Sequence, residues 1–316
     1  MELGRVAPVV GLGAFLVVDA ALIFWAFRPA PAAVVDATPS PSASVAVSSA
    51  EPSATDSSSP SPTESAEKVE VTPLTRMVSA VGPDVAWVAD AGSCDEAGRV
   101  LVTDDGGATW SANDAPGLVL RVTGSSAAEG FVTGGGDGCD YQLWRTSDGG
   151  GSWGVAESGA PWWSRLPEKP GKVNSATGAT VTPCPDGADV VDLVGIEVET
   201  AMALCEDGEV RSTADAGASW TTAFSVDGAL ALGLNPDASA GVVVHTDDGC
   251  KGVVATPVSD GEPGSDGTCV KSSPSTGQVA VSGASDAWWL VVGDEAFTAS
   301  SPDGKWKGVE GSLGSD

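Results

Sequence analysis

Thr103-Asp104-Asp105-Gly106-Gly107-Ala108-Thr109-Trp110 recurs in this chain as Thr146-Ser147-Asp148-Gly149-Gly150-Gly151-Ser152-Trp153 and again as Thr213-Ala214-Asp215-Ala216-Gly217-Ala218-Ser219-Trp220. A shortened copy stands at Ser301-Pro302-Asp303-Gly304-Lys305-Trp306. The shared pattern is S/T-x-D-x-G-x-S/T-W. Repetition of this kind signals like supersecondary units, none of which can bury its apolar face alone. The motif's own chemistry describes a hairpin turn. Asp105, Asp148 and Asp215 accept backbone N–H bonds within the turn, and Gly107, Gly150 and Gly217 supply a left-handed conformation. Trp110, Trp153 and Trp220 then open the next strand and bury their rings against a neighbouring sheet. Asp303 and Trp306 keep the two ends of the pattern.

Upstream of each turn the chain reads as strands. Residues 73–90, 117–135, 188–206, 229–248 and 277–293 each hold an apolar strand, a short polar turn and a second apolar strand. Val85-Ala86-Trp87-Val88 and Ala287-Trp288-Trp289-Leu290-Val291-Val292 are examples of the second strand. A third strand, such as Gln142-Leu143-Trp144-Arg145-Thr146, runs into the turn. Four strands per unit, at a spacing of roughly 40–50 residues, are the signature of propeller blades. The expected fold is therefore all-β: a β-propeller of five or six four-stranded blades over residues 69–316. Five units are legible. Residues 159–187 fit none of them and are either a long insertion or a degenerate sixth blade. Val69-Glu70-Val71-Thr72 is expected to close the ring by pairing with the last blade, which would remove the free sheet edges.

These turns resemble the Asp-box, or BNR, repeat of sialidase-like β-propellers. The resemblance covers most of residues 73–310 and implies fold more than activity. It implies that the boxes join the third and fourth strands of each blade, away from the ligand face, so that their residues are structural. Sialidases of this architecture hold a substrate carboxylate with three arginines and attack with a tyrosine. Here the single tyrosine is Tyr141, and the propeller's arginines are Arg76, Arg99, Arg121, Arg145, Arg165 and Arg211. The Phe-Arg-Ile-Pro opening of those enzymes is replaced by Leu74-Thr75-Arg76-Met77. The chain is also similar to propellers of the photosystem II stability and assembly factor type, which bind proteins, although their arginine-rich patch is not visible.

With the repeats aligned, Cys94, Cys139, Cys205 and Cys250 fall between second and third strands, and Cys184 and Cys269 precede the first strands of two units. In a propeller both loop classes open on the face opposite the boxes. Nearness suggests Cys94–Cys139, Cys184–Cys205 and Cys250–Cys269, one of fifteen connectivities open to six cysteines. The same loops carry acids in pairs: Asp95-Glu96, Asp137 with Asp140, Glu206-Asp207, Asp247-Asp248 and Asp294-Glu295. Asp95, Glu96, Asp137, Asp140, Asp247 and Asp248 are candidate ligands for Ca²⁺, a hard cation that takes oxygen donors. They serve equally well as ordinary solvated loops or as a field for a basic partner. No other cofactor is implied.

Composition removes several function classes. With 43 Asp+Glu against 15 Lys+Arg, a net charge of −28, the chain lacks the basic surface that nucleic-acid binding requires. One histidine and six cysteines without a C-x-x-C pair argue against a zinc site. They favour three disulfides in an oxidising compartment. His245 ends a strand with no G-x-S-x-G nearby, which reads as a structural histidine.

Residues 6–27 carry a single charge, Asp19, between Arg5 and Arg28. At 1.5 Å per residue such a run spans roughly 33 Å, enough for a bilayer core. Its length favours an uncleaved signal anchor over residues 1–28, while Ala30-Pro31-Ala32 offers a cleavage site that would release the rest. Residues 29–68 are almost wholly Ala, Pro, Ser, Thr, Val and acids, the composition of a disordered stalk. The expected function is a single-pass membrane protein displaying its propeller outside the cytoplasm. There it would act without catalysis on an envelope protein or glycan. The alternative is a cell-surface glycoside hydrolase using two loop carboxylates. Trp162-Trp163 either stack on a ligand or belong to the core of an unrecognised blade.

Overall fold

The computed structural model describes residues 69–136, 139–156 and 162–314. The expected anchor and stalk, and Asp137, lie outside them. Among the described residues no helix is long and apolar enough to cross a membrane.

Six antiparallel sheets make up the domain. Blade 1 is β1 (Arg76–Ala80), β2 (Ala86–Asp90), β3 (Arg99–Thr103) and β4 (Ser111–Asp114). Blade 2 is β5 (Leu118–Gly124), β6 (Gly130–Gly135), β7 (Tyr141–Thr146) and β8 (Gly154–Val155). The third sheet is β9 (Ser164–Arg165), β10 (Val173–Asn174) and β11 (Thr180–Val181). Blade 4 is β12 (Val190–Gly195), β13 (Ala201–Cys205), β14 (Glu209–Thr213) and β15 (Thr221–Ser225). Blade 5 is β16 (Ala229–Leu234), β17 (Ala240–His245) and β18 (Gly252–Ser259), with β19 (Glu262–Pro263) and β20 (Thr268–Lys271) both pairing β18. Blade 6 is β21 (Val279–Gly283), β22 (Trp288–Val292), β23 (Glu295–Ala299) and β24 (Lys307–Gly308). The inner strands touch in sequence order, and β21 of the last blade meets β1 of the first, so the ring closes.

One open choice is decided and one predicted feature resolves differently. Residues 159–187 contain the degenerate sixth blade, with three strands among the described residues. Val69–Thr72 form no strand. Closure instead joins two blades that are each built from contiguous chain. Arg76 is the centre of that seam: it pairs with Asp90 at 2.6 Å and Asp294 at 3.2 Å, and it donates to the Gly293 carbonyl. Past blade 6 the chain laps back, with Gly311 N donating to Gly107 O at 2.8 Å and Arg99 donating to Leu313 O at 2.8 Å.

Tryptophan sets the blade spacing. Trp87 in β2 is fully buried and donates its indole N–H to Ser126 O, in the first turn of the next blade, at 2.8 Å. Trp289 in β22 makes the same bond to Gly82 O at 2.9 Å, and Trp163 makes it to Glu197 O at 2.8 Å. Gly195 must be glycine here, since a Cβ would lie 2.7 Å from the Trp163 ring. The turn tryptophans stack edge-on against these: Trp110 on Trp289 at 5.9 Å and Trp220 on Trp163 at 6.0 Å. Trp163 thus occupies the place that second-strand tryptophans hold elsewhere. β9, β10 and β11 therefore correspond to the second, third and fourth strands of a blade. Among the described residues, no inner strand fronts the third sheet.

The three full turns share one hydrogen-bond set. Asp105 accepts from Thr109 N at 2.9 Å, Thr109 Oγ1 at 2.7 Å and Thr103 Oγ1 at 2.9 Å. Asp148 and Asp215 accept the equivalent bonds from Thr146 and Ser152, and from Thr213 and Ser219. Gly107, Gly150 and Gly217 have φ of 85°, 91° and 89°, a region that disfavours any side chain. The shortened turn at Asp303 closes with Gly304 N donating to Ser301 O at 3.0 Å. The bonds from Ser152 and Ser219 pull the Asp148 and Asp215 carboxyls from 3.8 to about 2. A depressed folded-state value gives stability that is present above the unfolded value and lost as pH falls through the folded one. Asp148→Asn with Asp215→Asn is therefore expected to flatten the loss of stability between about pH 4 and pH 2. Urea titrations across that window read it directly.

Candidate functional site

The inner strands enclose a central cavity of 370 Å³. Its lining is made mostly of apolar residues, yet polar atoms supply about half of the surface. Three charged residues interrupt it among the described residues: Arg121 in β5, Arg165 in β9 and Asp192 in β12. Arg121 and Asp192 each interrupt an apolar run, Leu118-Val119-Leu120-Arg121-Val122 and Val190-Val191-Asp192-Leu193-Val194. Arg165 reaches the cavity because no described strand stands in front of β9.

All three groups are partly buried, and they line the cavity. Asp192 is held by backbone: one oxygen accepts from Leu193 N at 2.7 Å and the other from Leu232 N at 2.9 Å. Burial pushes its carboxyl up, against the pull of those two N–H groups and of both arginines. Burial likewise lowers Arg121 and Arg165, offset by the charge of Asp192. Guanidinium remains charged under such shifts. No carboxylate lies within 4 Å of either arginine among the described residues; the ion pairs there involve Arg76, Arg99, Arg145 and Arg211. Arg165 donates to Leu74 O at 2.6 Å, and Arg121 to Thr123 Oγ1 at 3.4 Å while lying 5.9 Å from the Trp162 ring centre. Each guanidinium has five N–H donors, so most of this capacity is unspent on protein acceptors. Tyr141 completes the neighbourhood. Its hydroxyl bonds to Ser164 Oγ, and burial raises its pKa.

The remaining candidates lie elsewhere. Among the described residues no group of three or more His, Cys, Asp or Glu is placed to hold a metal ion. Asp95 and Glu96 sit in an exposed turn, their N–H groups on Ser93 Oγ, and Asp247 accepts from Gly249 N at 2.7 Å within its own turn. Asp140 and Asp248 are exposed. Asp294 belongs to the Arg76 seam. The disulfides are Cys94–Cys139, Cys184–Cys205 and Cys250–Cys269. His245 is structural: Nδ1 donates to Thr246 O at 3.1 Å, leaving Nε2 to accept from Thr256 Oγ1 at 3.0 Å. Trp162 lines the cavity and Trp163 is core. The cavity itself is not the mouth expected on the cysteine face. Leu74 stands at that end, and the lining runs to Gly124, Ile196 and Pro236 at the opposite end.

No family model matches the sequence, and no curated protein does. Solved structures do show likeness, and they are propellers. YCF48 bound to D1 peptide is 17% identical, with 77% of this chain and 69% of that chain covered and a TM-score of 0.30. The GH74 xyloglucanase from Xanthomonas campestris is 14% identical over 77% of this chain and 38% of its own, with a TM-score of 0.31. The WD40 β-propeller domain of Doa1 is 13% identical over 72% and 92%, with a TM-score of 0.40. Such likeness concerns fold alone and carries nothing about ligand. This chain spans well under half of the xyloglucanase.

Proposed function

We propose that the chain is an Asp-box propeller, held outside the cytoplasm by its N-terminal segment. On this reading it binds an envelope protein or glycan by seating an anionic group of that ligand against Arg121 and Arg165. The single observation that carries this is the pair of partly buried guanidiniums lining the cavity, neither in contact with a carboxylate among the described residues. Burying a charge is costly unless it is paired. Asp192 is one counter-charge for two cations and is already tied to backbone N–H groups, so the balance favours an incoming oxyanion. The surrounding −28 charge does not cancel this, because exposed acids are screened within about 8–10 Å of salt solution.

Binding without turnover is the better-supported half of the choice. Two-carboxylate glycoside hydrolysis places both groups across a pocket, and Asp192 is the single carboxylate lining this cavity among the described residues. Titration of the full chain against glucuronate and sulfate, with glycan and peptide arrays, tests the reading. Arg121→Ala or Arg165→Ala is expected to weaken anion binding by about tenfold or more, the usual consequence of truncating one partner of an enclosed charge pair. Equal affinity in both variants, or sugar release from the array, would sink it. Affinity is also expected to rise as pH falls through the raised range of Asp192, because protonation removes the one like charge facing the ligand. Asp192→Asn should abolish that dependence.

A further inference from the structure

At the cysteine-face end of the cavity stands a segment that belongs to no blade and reaches the lining with Leu74. Residues 69–75 carry no strand, yet all but Glu70 and Thr75 are at least partly buried. Val69 and Val71 pack on the apolar core shared by blades 5 and 6. Leu74, 5% exposed, enters the core of blades 4 and 5 beside Val191 and Leu232. Its N–H donates to Val191 O at 3.0 Å, while Thr75 N donates to Gly277 O at 2.7 Å and Thr75 O accepts from Ala91 N at 2.7 Å. The segment thus touches blades 4, 5 and 6 before entering blade 1. Its bonds are few and lie at the ends of strands, where local opening costs least.

The Leu74 carbonyl accepts from Arg165 Nη2 at 2.6 Å. A guanidinium is a rigid plane, so one short bond at Nη2 sets the directions of its remaining N–H groups. Arg165 has no other protein acceptor among the described residues. Whether it presents a fixed set of donors to the cavity therefore depends on this segment being in place.

We propose that residues 69–75 are a strap that controls the central site: docked, it positions Arg165; lifted, it releases that guanidinium. The proposal rests on the anion reading above and adds its regulation. Leu74 acts as a positioning residue, through Arg165. Because coupling between two sites is reciprocal, an anion that binds better with the strap docked must hold the strap down by the same factor. The strap directly follows residues 29–68 in the sequence, so a pull arriving through them acts on Val69, Val71 and Leu74 before it acts on any blade strand.

Reciprocity supplies the test. Hydrogen exchange of the full chain is measured with and without saturating glucuronate, and with sulfate in a parallel arm. Anion affinity is measured for the native chain, Leu74→Ala and Thr75→Pro. Anion is expected to slow exchange at the Leu74 and Thr75 amides, and each variant to bind about tenfold more weakly, in the usual range of inter-site coupling. Thr75→Pro removes the N–H donor of an exposed residue and leaves the apolar core intact, so it decides the matter if Leu74→Ala does not fold. Anion binding with unchanged exchange at both amides and native affinity in Thr75→Pro would overturn the strap and leave the anion site standing. Failure of the native chain to bind either anion would overturn the site, and the strap with it.

Discussion

Replacing Cys94 and Cys139 by serine is expected to cost about 4 kcal/mol, the chain-entropy value for a closed loop of this size. The sequence separation of 45 is the longest of the three bridges, against 21 and 19. This bridge also differs in kind. Cys94 lies between β2 and β3 of blade 1 and Cys139 between β6 and β7 of blade 2, so it clamps two blades together. Cys250–Cys269 ties strands within blade 5, and Cys184–Cys205 ties the entry of blade 4 to its own second strand. At about 2–4 °C per kcal/mol for a domain of this size, the melting temperature should fall by roughly 10 °C. Calorimetry of the double serine variant beside the native chain, both under oxidising conditions, reads the shift. A change below about 2 °C would mean that the neighbouring backbone bonds, Val119 N to Ala91 O and Gly98 N to Gly117 O, already hold these blades unaided.

Arg76→Ala is expected to cost about 3 kcal/mol, the lower end for breaking an enclosed ion pair, because Asp90 and Asp294 are partly exposed. Burial acts to lower the Arg76 pKa, but its bonds to Asp90 and Asp294 outweigh that and hold it above its ordinary value. Removing the guanidinium leaves two carboxylates and the Gly293 carbonyl facing one another at the seam where the ring closes. Arg76→Lys should recover less than half of the loss, since an ammonium cannot span three acceptors in a plane. Urea titration followed by tryptophan fluorescence is well placed to see this, because Trp110 and Trp289 stack across the same seam. An Arg76→Ala transition within about 0.5 kcal/mol of the native one would assign closure to apolar packing alone.

The two predictions act through different states. The disulfide works mainly by restricting the unfolded chain, whereas Arg76 works by direct contact in the folded one. Together they hold blade 1 on both sides.

Most of the ring was legible in the sequence because each full turn is chemically self-sufficient. Thr103, Asp105, Gly107 and Thr109 satisfy one another within a few residues, so the pattern survives as a string of letters. The third blade was hidden because it has no such turn and no described inner strand. Its one sequence-level marker was Trp163, whose role depends on Glu197 O and Trp220 in the next blade. Closure was misread for a related reason. Val69–Thr72 have strand-like composition, but the partner that decides their conformation lies across the ring. The site was not singled out: Arg121 and Arg165 stood among six propeller arginines and Tyr141 was the lone tyrosine, with no motif to separate them. What composition pointed to instead was the acidic loops, because exposed acids dominate a chain of charge −28. The better signal was a charge interrupting an apolar inner strand, as at Arg121 and Asp192, where solvation cannot explain it.

A ring of six identical spokes would present a bound molecule with six equivalent ways to lie. The third blade removes that degeneracy. Trp162, Ser164 and Arg165 reach the cavity from this blade and Arg121 and Asp192 from the blades beside it, while blades 1, 5 and 6 place no charged residue there among the described residues. That one-sided placement of charge gives the cavity a compass direction, so a ligand can be read for its orientation as well as its charge.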